Sequence, residues 1–214
     1  MINVCTNCGE YRADKIIDPR GPCAICPVCE HPHPFLQLPL LIVSGASGAG
    51  KTTICRNLLG KYQDAVLLDA DILWRPEFDR PKDGYRDFFE TWLRVCKNIS
   101  QSGRPVVLFG AGIGVPENME PRVERRYFSE LHYLALVCDD ELLAERLRGR
   151  GEWRQSSDPA YIAEHAKFNR WFKENAGGTD PTMDLFDTTG VPVEETTAQV
   201  AAWIRRKMPV ATRR

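Results

Sequence analysis

A surplus of positive charge is missing from this 214-residue chain, in which 28 Lys and Arg stand against 29 Asp and Glu for a net charge of −1. General affinity for nucleic acid needs a basic footprint, so the balance argues against that class. Long apolar runs are missing too, and no stretch approaches the roughly 20 residues that a bilayer-spanning helix needs. The opening Met1-Ile2-Asn3-Val4-Cys5 lacks the basic and apolar regions of a secretory signal, so a cytoplasmic location without a membrane partner is expected. No repeat or low-complexity tract occurs. Cysteine is sparse over most of the chain, with three of the eight beyond residue 29. Those three, Cys55, Cys96 and Cys138, fall in or near apolar segments and read as small buried side chains rather than nucleophiles.

The most informative segment is Gly45-Ala46-Ser47-Gly48-Ala49-Gly50-Lys51-Thr52, which follows the apolar run Leu38 to Ser44 and precedes a helix-forming stretch, Thr52 to Tyr62. Strand, glycine-rich turn and helix in that order make a phosphate-binding loop, a P-loop. Backbone N–H groups from Gly45 to Thr53 are expected to face phosphate oxygens, Lys51 to reach the terminal phosphates, and the Thr52 hydroxyl to coordinate Mg²⁺. ATP with Mg²⁺ is the expected ligand.

A protein of that kind works where thiols stay reduced, so the five cysteines crowded into the first 29 residues read as metal ligands rather than disulfides. Cys5-Thr6-Asn7-Cys8 and Cys26-Pro27-Val28-Cys29 are Cys-x-x-Cys knuckles 17 residues apart, a spacing suited to four thiolates around tetrahedral Zn²⁺. Gly9 follows the first knuckle, and Glu30 stands where the second would usually carry glycine. Cys23 offers an alternative knuckle with Cys26, and His31 and His33 lie close enough to substitute as ligands. Residues 1–36 hold little core-forming material, so a metal must stand in for a core there. The division expected is a zinc ribbon over 1–36 and a second domain over 37–214.

Beyond the connector His31-Pro32-His33-Pro34, short apolar runs alternate with helical patterns. Strands are expected from Leu38, at Ala65 to Leu68, Pro105 to Phe109, Tyr133 to Val137 and, more weakly, Asp184 to Asp187. Helices are expected at Asp83 to Gln101, Glu117 to Glu130, Asp140 to Arg150, Pro159 to Asn175 and Pro192 to Met208. This is an α/β pattern with a parallel sheet buried on both faces, whose ligands gather at the carboxyl ends of the strands.

Phosphoryl transfer needs a phosphate cradle, a metal, a proton acceptor and cations over the moving group. Asp69 and Asp71 close the second strand, and alternate strand residues share a face, so both carboxylates are expected in one cleft. Asp71 is the expected base or acceptor-hydroxyl ligand and Asp69 a direct or water-mediated Mg²⁺ contact. The competing assignment makes one of them a helix cap. The third strand, Val106 to Phe109, ends without a carboxylate, so the usual Walker B acid is absent there. Its Gly110 to Gly114 loop either admits an acceptor close to the backbone or is a plain turn. Arg146 and Arg150, four apart on one helical face, suit phosphate oxygens and a closing lid, whereas Arg148 reads as solvated. Trp74 and Phe78 line either an acceptor pocket or the interior, and Asp187-Thr188-Thr189-Gly190 is placed to approach the adenine.

In GASGAGKT, the strand-end Asp69-Ala70-Asp71, the Leu136 to Gly151 segment and Asp187 to Gly190, the chain resembles the P-loop kinases of small molecules. That group contains nucleoside, shikimate, gluconate and chloramphenicol kinases. More narrowly it is similar to bacterial AAA-type ATP-binding proteins or nucleoside kinases that carry an N-terminal zinc ribbon. The resemblance covers residues 38–208. It implies a three-layer sandwich with five parallel strands in the order 2-3-1-4-5, helices on both sides, and an arginine-bearing lid near residues 146–180.

The function expected is transfer of the γ-phosphate of ATP to a small-molecule acceptor, a nucleoside or nucleotide among the candidates, with Lys51, Asp69, Asp71, Arg146 and Arg150 as the catalytic set. The alternative is a nucleic-acid-associated ATPase or polynucleotide kinase whose ribbon grips the strand. Against it, residues 1–36 carry only Arg12, Lys15 and Arg20 as cations beside four acidic groups. A third reading makes the ribbon a bracing or dimerisation element, and the chain a monomer or homodimer.

Overall fold

In the computed structural model the described residues are 2–150 and 156–208. Gly151, together with Trp153 and Arg154 of the expected lid, lies outside them. Five strands, β4 (Leu40–Ser44), β5 (Val66–Asp69), β6 (Val106–Phe109), β7 (Leu131–Val137) and β8 (Asp184–Asp187), form a sheet in the order β5-β6-β4-β7-β8. Every pairing is parallel, and the order is 2-3-1-4-5 when these core strands are counted alone. Alternate residues feed two cores. Leu40, Ile42, Val106 and Leu108 face one, while Leu41, Val43, Val107 and Phe109 face the other.

The first core is closed by α2 (Arg86–Ser100) and α5 (Pro159–Asn175), and the second by α1 (Lys51–Leu58) and α6 (Val193–Lys207). On α2 the stripe Phe88, Phe89, Trp92, Leu93 and Cys96 recurs at helical spacing, which buries one face against the sheet. These layers make the three-layer α/β sandwich. Between β6 and β7 the expected long helix is absent. A single turn, α3 (Pro116–Met119), gives way to a 3₁₀ turn over Val123–Tyr127. Pro121 has no N–H to donate to Glu117, so the helix cannot propagate through it. The last connection before α5 is α4 (Asp140–Arg148).

The N-terminal part forms a small antiparallel sheet, β1 (Ile16–Ile17), β2 (Cys23–Ile25) and β3 (Pro32–Pro34), in that order. It does not hang free. Ile2, Ala24 and Phe35 pack with Tyr127, and the Tyr127 hydroxyl donates to Ala13 O at 2.7 Å. Beneath them a polar knot joins Asn3, Lys97 and Glu124, with Arg94 Nε on Glu124 Oε1 at 2.9 Å. Among the described residues no helix is long and apolar enough to cross a membrane.

Candidate active site

The loop between β4 and α1 has the backbone that its glycines permit. Gly48 and Gly50 take positive φ values of +91° and +103°, a region open to glycine and strained for other residues. A Cβ on Gly45 would lie 2.3 Å from Leu136 O on the neighbouring strand. Lys51 Nζ folds back to donate to Gly45 O at 2.7 Å and Ala46 O at 3.0 Å. Burial lowers the Lys51 amine to about 8, with Asp71 opposing that shift and Arg150 adding to it.

At the end of β5, Asp69 has two roles. Its Oδ1 accepts the N–H of Asp71 at 3.0 Å, capping the 3₁₀ turn Ala70–Leu73, while Oδ2 accepts from Thr52 Oγ1 at 3.3 Å. The capping assignment therefore belongs to Asp69. Asp71, one residue into the turn, leaves its carboxylate exposed toward the loop.

A cavity of about 340 Å³ brings these groups together. Its walls include Ser47 to Thr53 of the loop, Asp69, Asp71, Arg146 and Arg150. Gly45 and Ala46 lie behind that wall, where their carbonyls hold Lys51. Arg146 Nη1 spans from Gly48 O to Thr188 Oγ1, 3.4 Å from each, and Thr188 with Val191 and Val193 closes the far side. Arg148 is exposed and outside the cavity wall.

Gly110 and Ala111 line the same cavity, but the glycines at 110 and 114 answer to packing within the chain. A Cβ on Gly110 would sit 2.7 Å from Ala70 Cβ, and one on Gly114 would sit 1.9 Å from Ser44 Cβ. Trp74 lies edge-on to Phe88 at 5.3 Å while remaining 47% exposed, so it belongs to neither the interior nor the cavity wall.

Two groups escaped the sequence reading. Tyr161 OH donates to Ser47 Oγ at 3.2 Å, and Ser47 N donates to His165 Nδ1 at 3.4 Å, so α5 touches the phosphate loop directly. The signal available was Tyr161, His165 and Asn169 at four-residue spacing on one helical face.

At the other end of the molecule, the sulfurs of Cys5, Cys8, Cys26 and Cys29 all lie within 4.8 Å of one another. Cys5 Sγ and Cys29 Sγ are 3.5 Å apart, Cys8 Sγ and Cys26 Sγ 3.8 Å. A tetrahedron of thiolates at the Zn–S distance of ~2.3 Å has edges of ~3.8 Å, so the donor set fits zinc. Cys23 lies in β2, opposite Pro34, and neither it nor His31 or His33 joins the cluster. The Asn7 side chain holds the Cys29 thiol down at about 6.

The sequence model of the AAA domain family matches residues 40–175. Guanylate kinase of Anaplasma phagocytophilum (strain HZ) is 31% identical over 90 residues, 40% of this chain and 42% of that protein. The match thus spans less than half of that relative. Uridylate kinase of Saccharomyces cerevisiae (strain ATCC 204508 / S288c) is 26% identical over 167 residues, 71% of this chain and 79% of that protein. Among solved structures, a sugar kinase from Janibacter sp. HTCC2649 superposes with a TM-score of 0.58 at 16% identity, covering 79% of this chain and 95% of that one. At that identity the likeness concerns the fold.

Proposed function

The chain belongs to the AAA domain family, and from that premise we propose that it is an ATP-dependent phosphotransferase acting on a small-molecule acceptor. A nucleoside or nucleotide acceptor is consistent with the two nucleotide kinases that it resembles. The observation that carries the reading is the convergence of Lys51, Thr52, Asp69, Asp71, Arg146 and Arg150 on one cavity.

Each group has a part that its position allows. With Ser47 N bound to His165 and Ala49 N to Ala46 O, the N–H groups of Gly48, Gly50 and the start of α1 are those placed to cradle the phosphates, with the helix dipole favouring negative charge. Thr52 and Asp69, already in contact, would hold Mg²⁺, which supplies charge neutralisation on the phosphate oxygens. With a hydroxyl acceptor, Asp71 accepts the hydroxyl proton as the hydroxyl oxygen bonds to the γ-phosphorus. The bond to the bridging oxygen breaks and ADP leaves. Lys51, Arg146 and Arg150 compensate the charge that spreads over the moving phosphoryl group.

Residues 1–36 form, on this reading, a unit whose four thiolates hold Zn²⁺ and which braces the kinase part rather than reading a polynucleotide. The buried knot of Asn3, Lys97 and Glu124 supports the bracing role.

The test is ATP consumption against a panel of nucleosides, nucleotides, sugars and aminoglycoside-type compounds, beside single-stranded RNA and DNA. ADP release matched by a phosphorylated small product supports the proposal. Stimulation by polynucleotide alone overturns it.

A further inference from the structure

Helix α5 stands over the phosphate loop, and the way it is fixed there is visible. Asn169, fully buried, donates from Nδ2 to Cys138 O at 2.6 Å and to Asp140 Oδ1 at 2.9 Å, while its Oδ1 accepts Cys138 N at 3.3 Å. That clamp ties the helix to the end of β7. Ala166 packs with Ala46, Cys138, Leu143 and Leu147 in a separate apolar cluster beneath the loop. One turn before Asn169, the ring of His165 reaches the loop, and one turn before that Tyr161 does the same, with the two ring centroids 4.3 Å apart and the planes inclined at 62°. Both contacts converge on Ser47.

Ser47 needs such a restraint. The next residue, Gly48, is left-handed and packed against Leu143 and Leu147 from below, and Gly50 is left-handed as well. A loop with three glycines has many conformations of similar energy, and a cradle that must be ordered by its ligand binds it more weakly. Tyr161 and His165 fix Ser47 from above.

We propose that Tyr161 and His165 are positioning residues that pre-organise the phosphate loop through Ser47, and so set its affinity for a nucleoside triphosphate. This inference rests on the nucleotide-site reading above. Burial opposes the protonation of His165 most, the neighbouring Lys51 and Arg150 add to it, and Glu164 favours protonation. The imidazole is therefore held neutral, with Nδ1 free to accept from Ser47 N.

The test is equilibrium binding of a fluorescent ATP analogue to the full-length protein and its variants, with thermal unfolding in parallel. Wild type should bind and Lys51→Ala should not; failure of wild type to bind removes the site reading itself and this inference with it. His165→Ala should weaken binding about threefold to tenfold, the range of one net hydrogen bond. His165→Asn, whose side-chain oxygen occupies the place of Nδ1, should return to within about twofold of wild type on the same argument. Tyr161→Phe, which keeps the ring and loses only the hydroxyl, should weaken binding about twofold to fivefold. Wild-type affinity in both His165→Ala and Tyr161→Phe overturns the inference. Equal losses in His165→Ala and His165→Asn that track lowered thermal stability also overturn it, since the ring would then serve packing alone.

Discussion

Lys97 donates to Glu124 with both side chains fully buried, at the seam where the cysteine-bearing sheet meets the parallel one. Asn3 from the N-terminal part and Arg94 from α2 complete the carboxylate's partners. Removing one member of a buried pair strands the other, which costs about 3–5 kcal/mol. Glu124→Leu should therefore lower the unfolding free energy read from urea denaturation by that amount at neutral pH. Lys97 is already held below its usual value by burial, and without Glu124 it falls further. The folded variant would bind fewer protons than its unfolded chain, so its stability rises with pH. Replacing both partners in Lys97→Met/Glu124→Leu should recover part of the loss, because the buried lysine charge goes while Asn3 and the half-exposed Arg94 still lose their acceptor.

That seam explains what the sequence conceals. The segment from Glu117 to Glu130 has a helical pattern, yet Glu124 and Tyr127 find their partners in residues 3 and 13, more than a hundred positions away. Local periodicity carries no trace of such pairing. The phosphate loop is the opposite case, since strand, glycines, lysine and threonine are contiguous and each residue type is dictated by the ligand. The central strands β4, β6 and β7 were legible for a similar reason, being short apolar runs buried on both faces, whereas the edge strand β8 is mostly exposed and its signal was weaker. Tyr161 and His165 were hidden because their partner Ser47 lies 114 and 118 residues earlier.

Thr52 and Asp69 are already within 3.3 Å, so a cation between loop and strand would meet two oxygen donors set by the fold. Thr52→Ala and Asp69→Asn should each raise the Mg²⁺ concentration needed for half-maximal ATP turnover, by about 10–100-fold. Thr52→Ser should stay near wild type. Asp71→Asn, outside this pair, should lower phosphoryl transfer far more than ATP affinity. Turnover measured across a Mg²⁺ titration separates the two carboxylates, and equal Mg²⁺ dependence in both variants would remove the division of labour.

Lys51 at about 8 gives nucleotide binding a pH dependence of known sign. Above that value the free protein loses the charge that phosphate requires, so affinity for ATP should fall about fivefold between pH 8 and pH 9, and binding should take up a proton there. Arginine keeps its charge over this range, so Lys51→Arg should flatten the profile. In the absence of nucleotide the same depressed value means that the unfolded chain binds the extra proton between about 8 and 10.5. Stability should rise with pH across that window in wild type, and lose this component in Lys51→Met. Calorimetric titration in buffers of different ionisation enthalpy, with unfolding at each pH, reads both effects.

Glu30 takes a φ of +60° and Gly9 a φ of +77°, each as the residue that follows the second cysteine of its knuckle. Both turns close the same way, with Gly9 N donating to Cys5 O and Glu30 N to Cys26 O, each at 2.9 Å. A left-handed residue with a Cβ costs roughly 1–2 kcal/mol, and glycine returns ~0.5–1 kcal/mol of that through the greater freedom of its unfolded chain. Glu30→Gly should therefore stabilise the cysteine-bearing part by about 0.5–1 kcal/mol on the same figures. It should also slow loss of zinc to a chelator, because metal binding and folding of such a unit are one equilibrium. Gly9→Ala tests the argument from the other side. No atom lies within 4 Å of the added methyl, so a lower unfolding temperature and faster metal loss in that variant would come from the backbone alone. Zinc content after dialysis against chelator, measured for both variants beside wild type, decides it, and an order other than Glu30→Gly above wild type above Gly9→Ala would sink the account.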